Sequence, residues 1–157
     1  MTLDAVLDAW GWSDPVPIAE TPTSGVFRVR RPGGETAVVK ALTPAGDRDE
    51  RIGADFLAWR EGRGAVRLLA RSGPYLLLED AGPTSLLDEL DALGDDAAIA
   101  IAAEVVRTLH APGGPSPLLP SLESHFGSLF ARATSEPRLA DHADTARALL
   151  GAQRDVR

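Results

Sequence analysis

The single lysine of the chain is its clearest candidate for chemistry. Among the 16 basic residues of this 157-residue sequence, 15 are arginines and only Lys40 is a lysine. A coding bias that replaces Lys with Arg would spare a lysine where a compact ammonium is required, although one lysine can also survive by chance. Lys40 lies in the strand-like run Glu35–Leu42 and shares a face with Val38 and Leu42. Its charge therefore points either into a cleft or out to solvent.

Acidic residues follow Lys40 at the start of the next predicted helix. Glu50 lies ten positions further along the chain, and Asp49 and Asp55 are its competitors as a partner. A paired carboxylate would offset the burial of the ammonium and hold it where it can bridge two phosphates. The alternative is a group of solvated acids, which are favoured at any helix N-terminus. From its position, Glu50 could reach back to Lys40.

Two further segments could supply backbone groups to a ligand. The small residues Thr21-Pro22-Thr23-Ser24-Gly25 precede a strand, and such a turn can cradle phosphate, although turns of this composition are common. The apolar run Tyr75–Glu79 leads to a break at Gly82-Pro83. This segment is either an ordinary strand exit or a linker between two lobes, in which the backbone of Glu79 and Ala81 could bond a flat heterocycle.

Composition excludes several classes of protein. The absence of cysteine excludes disulfide frameworks, thiolate zinc sites and cysteine nucleophiles. A net charge of -7 argues against binding to nucleic acid, since duplex binders need a basic face. No apolar run approaches a membrane span, and the acidic N-terminus differs from a signal peptide. We therefore expect a cytoplasmic protein with no membrane partner.

The Asp47-Arg48-Asp49 segment predicts solvated acids rather than a metal site.

The first half of the chain predicts two hairpins separated by a helix. Thr2 can cap a short helix over 2–10, and three prolines indicate an extended linker over 13–22. Alternation and turn residues predict strands at 26–30, 35–42, 65–70 and 75–79, a loop at 43–47 and a helix at 49–61.

The second half has a helical pattern. Predicted helices cover 85–93, a segment capped by Asp95 or Asp96, residues around Leu122–Phe130, and 139–150, with a proline-rich loop at 111–120. In the capped helix, the apolar face is predicted to contain Ile99, Ala102, Ala103, Val106 and Leu109. Strands followed by helices predict an α+β fold, divided into residues 1–82 and 83–157.

The order of these segments resembles the N-terminal portion of the aminoglycoside phosphotransferases, in the streptomycin 6-kinase and hydroxyurea-resistance kinase branch. The likeness covers nearly the whole chain. It rests on the segments Ser24–Val29, Ala37–Lys40, Glu50–Trp59, Gly64–Ala70, Leu76–Glu79 and Val105–Pro112.

The resemblance implies a protein-kinase-like fold. Its N-lobe would have a five-stranded antiparallel sheet with one inserted helix, followed by the first helices of an incomplete C-lobe. The implied cofactors are ATP and Mg²⁺. Lys40 would bind the α- and β-phosphates and pair with Glu50. The other implied nucleotide contacts are the Ser24-Gly25 turn over the phosphates, Leu78 behind the pocket, and the Glu79 carbonyl and Ala81 amide at adenine.

The resemblance also implies transfer of the γ-phosphoryl group of ATP to a hydroxyl of a small molecule, most plausibly an aminoglycoside of the streptomycin type. The family's His-Gly-Asp catalytic motif and its Mg²⁺ ligands are not in this sequence. We therefore expect no catalytic or metal residue within these 157 residues, an inactive chain, and a truncated kinase. The alternative is a pseudokinase-like module that binds a nucleotide or a partner without catalysis. Exposed apolar surface of an incomplete lobe would favour a dimer.

Overall fold

The computed structural model describes the backbone of residues 2–111 and 121–154, so most of the predicted loop at 111–120 lies outside the described residues. Its elements, in chain order, are α1 (Leu3–Trp10), β1 (Ser13–Thr21), β2 (Ser24–Arg30), β3 (Thr36–Leu42), α2 (Pro44–Arg60), β4 (Leu68–Ser72), β5 (Tyr75–Glu79), α3 (Leu86–Leu93), α4 (Asp95–His110), α5 (Leu122–His125), α6 (Gly127–Ala133), a 3₁₀ turn (Pro137–Leu139) and α7 (Ala140–Arg154).

The five strands form one antiparallel sheet in the order β1-β2-β3-β5-β4. Helix α2 is inserted between β3 and β4, and only helices follow β5. The prediction of an α+β fold with a five-stranded antiparallel sheet, one inserted helix and a helical continuation is confirmed. The first helix also begins as predicted, with the Thr2 hydroxyl accepting the Ala5 amide.

Two predictions about loops were wrong. The segment 13–22 is not a linker, because Ser13–Thr21 forms β1. This strand pairs only with β2 and therefore lies at an edge, where proline is tolerated; Pro15 falls within its first register irregularity. The segment 43–47 is not a loop, because α2 begins at Pro44, with Thr43 as its cap. Proline at the first helical position fits a helix start, since its missing amide would be unpaired there.

Other boundaries also differ from the predictions. Strand β4 begins at Leu68 rather than at residue 65, and α4 is capped by Gly94 rather than by an aspartate. On α4, Ile99 and Val106 are exposed. The helix predicted around Leu122–Phe130 is divided at Phe126 into α5 and α6, and the last helix extends to Arg154.

The sheet has a packed core on each face. On one face, Leu7 of α1 and Trp12, two residues after the end of α1, pack in a cluster with Val29, Ala37, Val39 and Leu77. On the other face, which we call the inner face, α2 contributes Ala54 to a cluster with Leu42 and Leu76, against which Leu68 and Leu78 pack. Strand alternation places Lys40 on the inner face, two residues from Leu42.

The chain divides into two compact units, Met1–Pro117 and Leu118–Arg157. In the second unit, Ala143 and Ala146 of α7 are buried. The predicted division into lobes at residues 82 and 83 stays a prediction. No helix among the described residues is both long enough and apolar enough to cross a membrane.

Candidate functional site

Lys40 lies in the middle strand of the sheet. Strand β3 has β2 on one side and β5 on the other, so Lys40 stands opposite both Val26 and Leu76. Its side chain is 30% exposed. The ammonium is therefore set among apolar inner-face residues but still reachable from solvent, as an ammonium that contacts a ligand must be.

Glu50 of α2 forms an ion pair with this ammonium. The hydrogen bond from Lys40, followed by one from the Thr23 hydroxyl, outweighs burial and lowers the pKa of the Glu50 carboxyl below its ordinary value. Asp55, one of the competing acids, pairs instead with Arg71 at 2.9 Å. The side chain of Asp49 lies outside the described residues. The structure thus contains the Lys40–Glu50 contact, while its role toward a nucleotide stays a prediction.

The turn between β1 and β2 is closed by its own hydrogen bonds. The hydroxyl oxygen of Thr21 accepts the amides of Thr23 at 3.3 Å and Ser24 at 3.0 Å. Ser24 is only 2% exposed. A Cβ at Gly25 would lie 3.0 Å from the ring of Phe27. The amides of Thr23 and Ser24 are therefore already hydrogen-bonded within the turn. A phosphate under this turn would be enclosed by its backbone rather than bound by these two amides.

The predicted hinge residues follow β5. Leu78 stands opposite Val38 and Leu68, and because Val38 is two residues from Lys40, Leu78 lies on the inner face. The amide of Glu79 donates to the carbonyl of Arg67 at 3.0 Å. Ala81 is exposed. The inner face therefore carries Leu78 beside the strand of Lys40, and β5 ends at the next residue, Glu79.

An ion pair that the sequence analysis missed connects β2 to this exit. Arg28 donates to Asp80 at 2.8 Å, and the Asp80 side chain is 11% exposed. Although burial raises the pKa of Asp80, hydrogen bonds from Arg28, the Gly82 amide and Thr36 lower it overall. A cavity of about 430 Å³ adjoins Arg28. It is lined by Asp14, Val16, Ile18, Arg28 and Arg30.

The alternation of side chains along β2 could have identified Arg28 as a residue of the inner face. Arg28 stands opposite Val38, so it shares the inner face with Lys40, and a charged residue on a face that is largely apolar needs a partner. The partner is 52 positions away in sequence, and no local pattern identifies it.

Side chains that could bind a metal ion do not cluster in the part of the chain that the structure describes. Within 2–111 and 121–154, no group of three or more His, Asp or Glu side chains is arranged to hold a metal ion. Asp47, the first acid of the Asp47-Arg48-Asp49 segment, is held by Arg51 at 2.7 Å.

Comparison with known proteins gives matches to one group of kinases. A family model described as aminoglycoside/hydroxyurea antibiotic resistance kinase matches residues 9–157. A protein of Klebsiella pneumoniae named streptomycin 3''-kinase is 37% identical over 139 residues. That alignment covers 87% of this chain and 50% of the relative, so the chain spans about half of the relative's length. No solved structure matches the chain.

Proposed function

The chain belongs to the aminoglycoside/hydroxyurea antibiotic resistance kinase family, and we propose that it supplies the nucleotide-binding part of an ATP-dependent phosphotransferase. The reaction moves the γ-phosphoryl group of ATP to a hydroxyl of a small molecule. The observation that carries the proposal is the Lys40–Glu50 ion pair on the inner face of the five-stranded sheet.

Lys40 has the chemistry that the phosphates require. Its ammonium is a compact charge with three donors, and Glu50 holds it on an apolar face where solvent still reaches it. In this proposal Lys40 neutralises charge on the α- and β-phosphates, and the Ser24-Gly25 turn covers them. Phosphoryl transfer depends mainly on such positioning and charge neutralisation.

The base of the nucleotide is assigned to the exit of β5. Leu78 would contact the purine from behind, while the Glu79 carbonyl and Ala81 amide would bond its edge. The Arg28–Asp80 ion pair supports this assignment, because it fixes the chain next to both backbone groups. Mg²⁺ supplies charge neutralisation at the phosphates when it is bound with ATP, and no residue described here is assigned to it.

The proposed acceptor is an aminoglycoside of the streptomycin type. The relative with 37% identity is named for the 3'' position of streptomycin, whereas the sequence resemblance pointed to the 6 position. The net charge of -7 favours the approach of a polycationic acceptor. A kinase that draws on cellular ATP acts in the cytoplasm, which is the proposed location.

The experiment measures binding and transfer separately with the 157-residue chain. We expect MgATP to bind, and no labelled phosphate to pass from ATP to streptomycin, because the sequence contains no His-Gly-Asp motif. Absence of MgATP binding would contradict the proposal. Phosphorylated streptomycin would contradict the expected inactivity and, by NMR of the product, would identify the 3'' or 6 position.

A second candidate function is a module that binds a nucleotide or a partner without catalysis. Self-association is part of this candidate, because α3 and α4 expose large apolar side chains. They are Leu86, Leu87, Leu93, Ile99, Ile101, Val105 and Val106. Sedimentation equilibrium distinguishes a dimer from a monomer.

A further inference from the structure

The Asp80 carboxylate holds the segment after β5 to the sheet. Its Oδ2 atom accepts a hydrogen bond from Nε of Arg28 at 2.8 Å, and its Oδ1 atom lies 3.4 Å from Nη2 of the same guanidinium. The Oδ1 atom also accepts the Gly82 amide at 3.1 Å. One carboxylate therefore links strand β2 to the backbone two residues further along from Asp80.

The hydrogen bond from Gly82 closes a local turn around Ala81. An aspartate that accepts the amide two residues on forms an Asx turn, which restrains the backbone between the two residues. Gly82 has a φ of 97°, in the left-handed region that glycine adopts without strain. Ala81 thus lies inside a turn that depends on where the Asp80 carboxylate is held.

The Arg28 guanidinium determines where that carboxylate lies. The Asp80 side chain is 11% exposed and that of Arg28 is 34% exposed, so little of the carboxylate faces water. A carboxylate in such a place depends strongly on its cationic partner. Strand β3 lies between β2 and β5 in the sheet, so the pair reaches across the middle strand. The turn around Ala81 is therefore anchored to a strand that does not pair with β5.

We propose that Arg28 and Asp80 are positioning residues for the base of the nucleotide. Arg28 holds the Asp80 carboxylate, and the carboxylate holds the turn that presents the Ala81 amide. The inference rests on the proposed function, in which this amide bonds the edge of the purine. It gives Arg28 and Lys40 separate tasks on the inner face, Arg28 toward the base and Lys40 toward the phosphates.

The experiment titrates the 157-residue chain with three ligands in a calorimeter. The ligands are MgATP, adenosine and magnesium tripolyphosphate. Adenosine has a base but no charge, so its affinity does not respond to the loss of a positive charge as such. Tripolyphosphate has phosphates but no base, so its affinity does not depend on the Ala81 amide.

The variants remove one partner of the ion pair at a time. Arg28→Met removes the guanidinium and keeps much of the apolar stem, whereas Asp80→Asn removes the charge and keeps an oxygen for the Gly82 amide. The double variant leaves no unpaired charge, and it therefore covers an Arg28→Met chain that fails to fold. Arg71→Met is the matched control, because Arg71 is 29% exposed and pairs at 2.9 Å with Asp55 of α2 instead of the segment after β5.

We expect Arg28→Met to weaken the binding of both adenosine and MgATP about three- to tenfold, the effect of losing a partly exposed hydrogen bond between charged groups. In the Asp80→Asn chain, the same substitution should weaken adenosine binding by less than about twofold, because the contact is already broken. Arg28→Met and Arg71→Met lose the same charge and should bind tripolyphosphate equally. Arg71→Met should bind adenosine like the wild type.

Hydrogen exchange of the Gly82 amide, followed by NMR, is a readout that needs no nucleotide. Because this amide donates to the carboxylate that Arg28 holds, it should exchange at least about threefold faster in Arg28→Met than in the wild type. Its exchange rate should be unchanged in Arg71→Met.

The outcomes separate the two proposals. If the wild type binds MgATP and Arg28→Met binds adenosine and MgATP equally well, the positioning role is refuted and the proposed function stands. The same conclusion follows if Arg28→Met loses adenosine and tripolyphosphate alike. If the wild type binds no MgATP, the proposed function fails. The exchange of the Gly82 amide then decides the contact itself, and an unchanged rate in Arg28→Met would refute it.

Discussion

Arg60 allows a prediction whose size follows from two hydrogen bonds of its side chain. Its side chain is 2% exposed at the end of α2. The Nε atom donates to the Arg63 carbonyl at 2.8 Å, and Nη2 donates to the Thr108 carbonyl of α4 at 2.7 Å. This fork ties α4 to the helix that carries Glu50. Gly64 permits the same approach, because a Cβ there would lie 2.9 Å from Cγ2 of Thr108.

Replacing Arg60 with methionine removes both hydrogen bonds and keeps much of the apolar stem. Hydrogen bonds from a charged group contribute about 1.5–3 kcal/mol each, and removal of a buried charge offsets part of their loss. We therefore expect Arg60→Met to lower the free energy of unfolding by about 3 kcal/mol, or the melting temperature by roughly 6–12 °C for a chain of this size. Arg60→Lys should lose about half as much, because an ammonium lacks the fork that reaches two carbonyls.

Urea unfolding followed by circular dichroism measures these losses. Arg63→Met is the control, since its side chain is 53% exposed and we expect a change of less than about 1 kcal/mol. Equal stability of Arg60→Lys and the wild type would refute the claim that donation by one guanidinium to two carbonyls stabilises the fold. A loss below about 1 kcal/mol in Arg60→Met would refute the role of the contact as a whole.

Three further predictions concern the core and the two inner-face ion pairs. Leu7→Ala, at a side chain that is 2% exposed, should lower the free energy of urea unfolding by about 2–5 kcal/mol. Because the folded pKa of Asp80 is lowered, its contribution to stability is present above the ordinary carboxyl pKa and is lost as the pH falls through the folded value. Asp80→Asn should thus show a shallower fall in urea midpoint between about pH 5 and pH 2 than the wild type. Glu50→Gln should weaken MgATP binding by about three- to tenfold in calorimetry, since a partly exposed ion pair contributes about 1 kcal/mol, and should leave adenosine binding unchanged.

Local patterns predicted the central hairpins and the helix between them. Alternation placed Lys40 on a defined face, and Glu50 was predicted at the start of the next helix, so the ion pair was anticipated from sequence as one of three possible pairings. The edge strand β1 was missed because its prolines also fit a linker, and only the presence of β2 beside it makes pairing possible. The start of α2 was missed because Thr43 and Pro44 were interpreted as loop residues rather than as a helix cap.

The remaining parts of the site depend on contacts between distant segments. Arg28 and Asp80 are 52 positions apart, and Thr43 lies 20 positions from Thr23, to whose carbonyl its hydroxyl donates. Glycine is required at Gly46 because a Cβ there would collide with the carbonyl oxygen of Thr23, and not because of its own helix. Such contacts form only when distant segments pack together, so the residues of one helix or strand do not predict them.

The central claim is that Lys40 binds the phosphates of a nucleotide, and calorimetric titration of Lys40→Met with MgATP and with adenosine tests it most directly. We predict that the wild type binds both ligands and that Lys40→Met loses at least about tenfold in affinity for MgATP with no change for adenosine. Equal binding of MgATP by Lys40→Met and the wild type would contradict the claim.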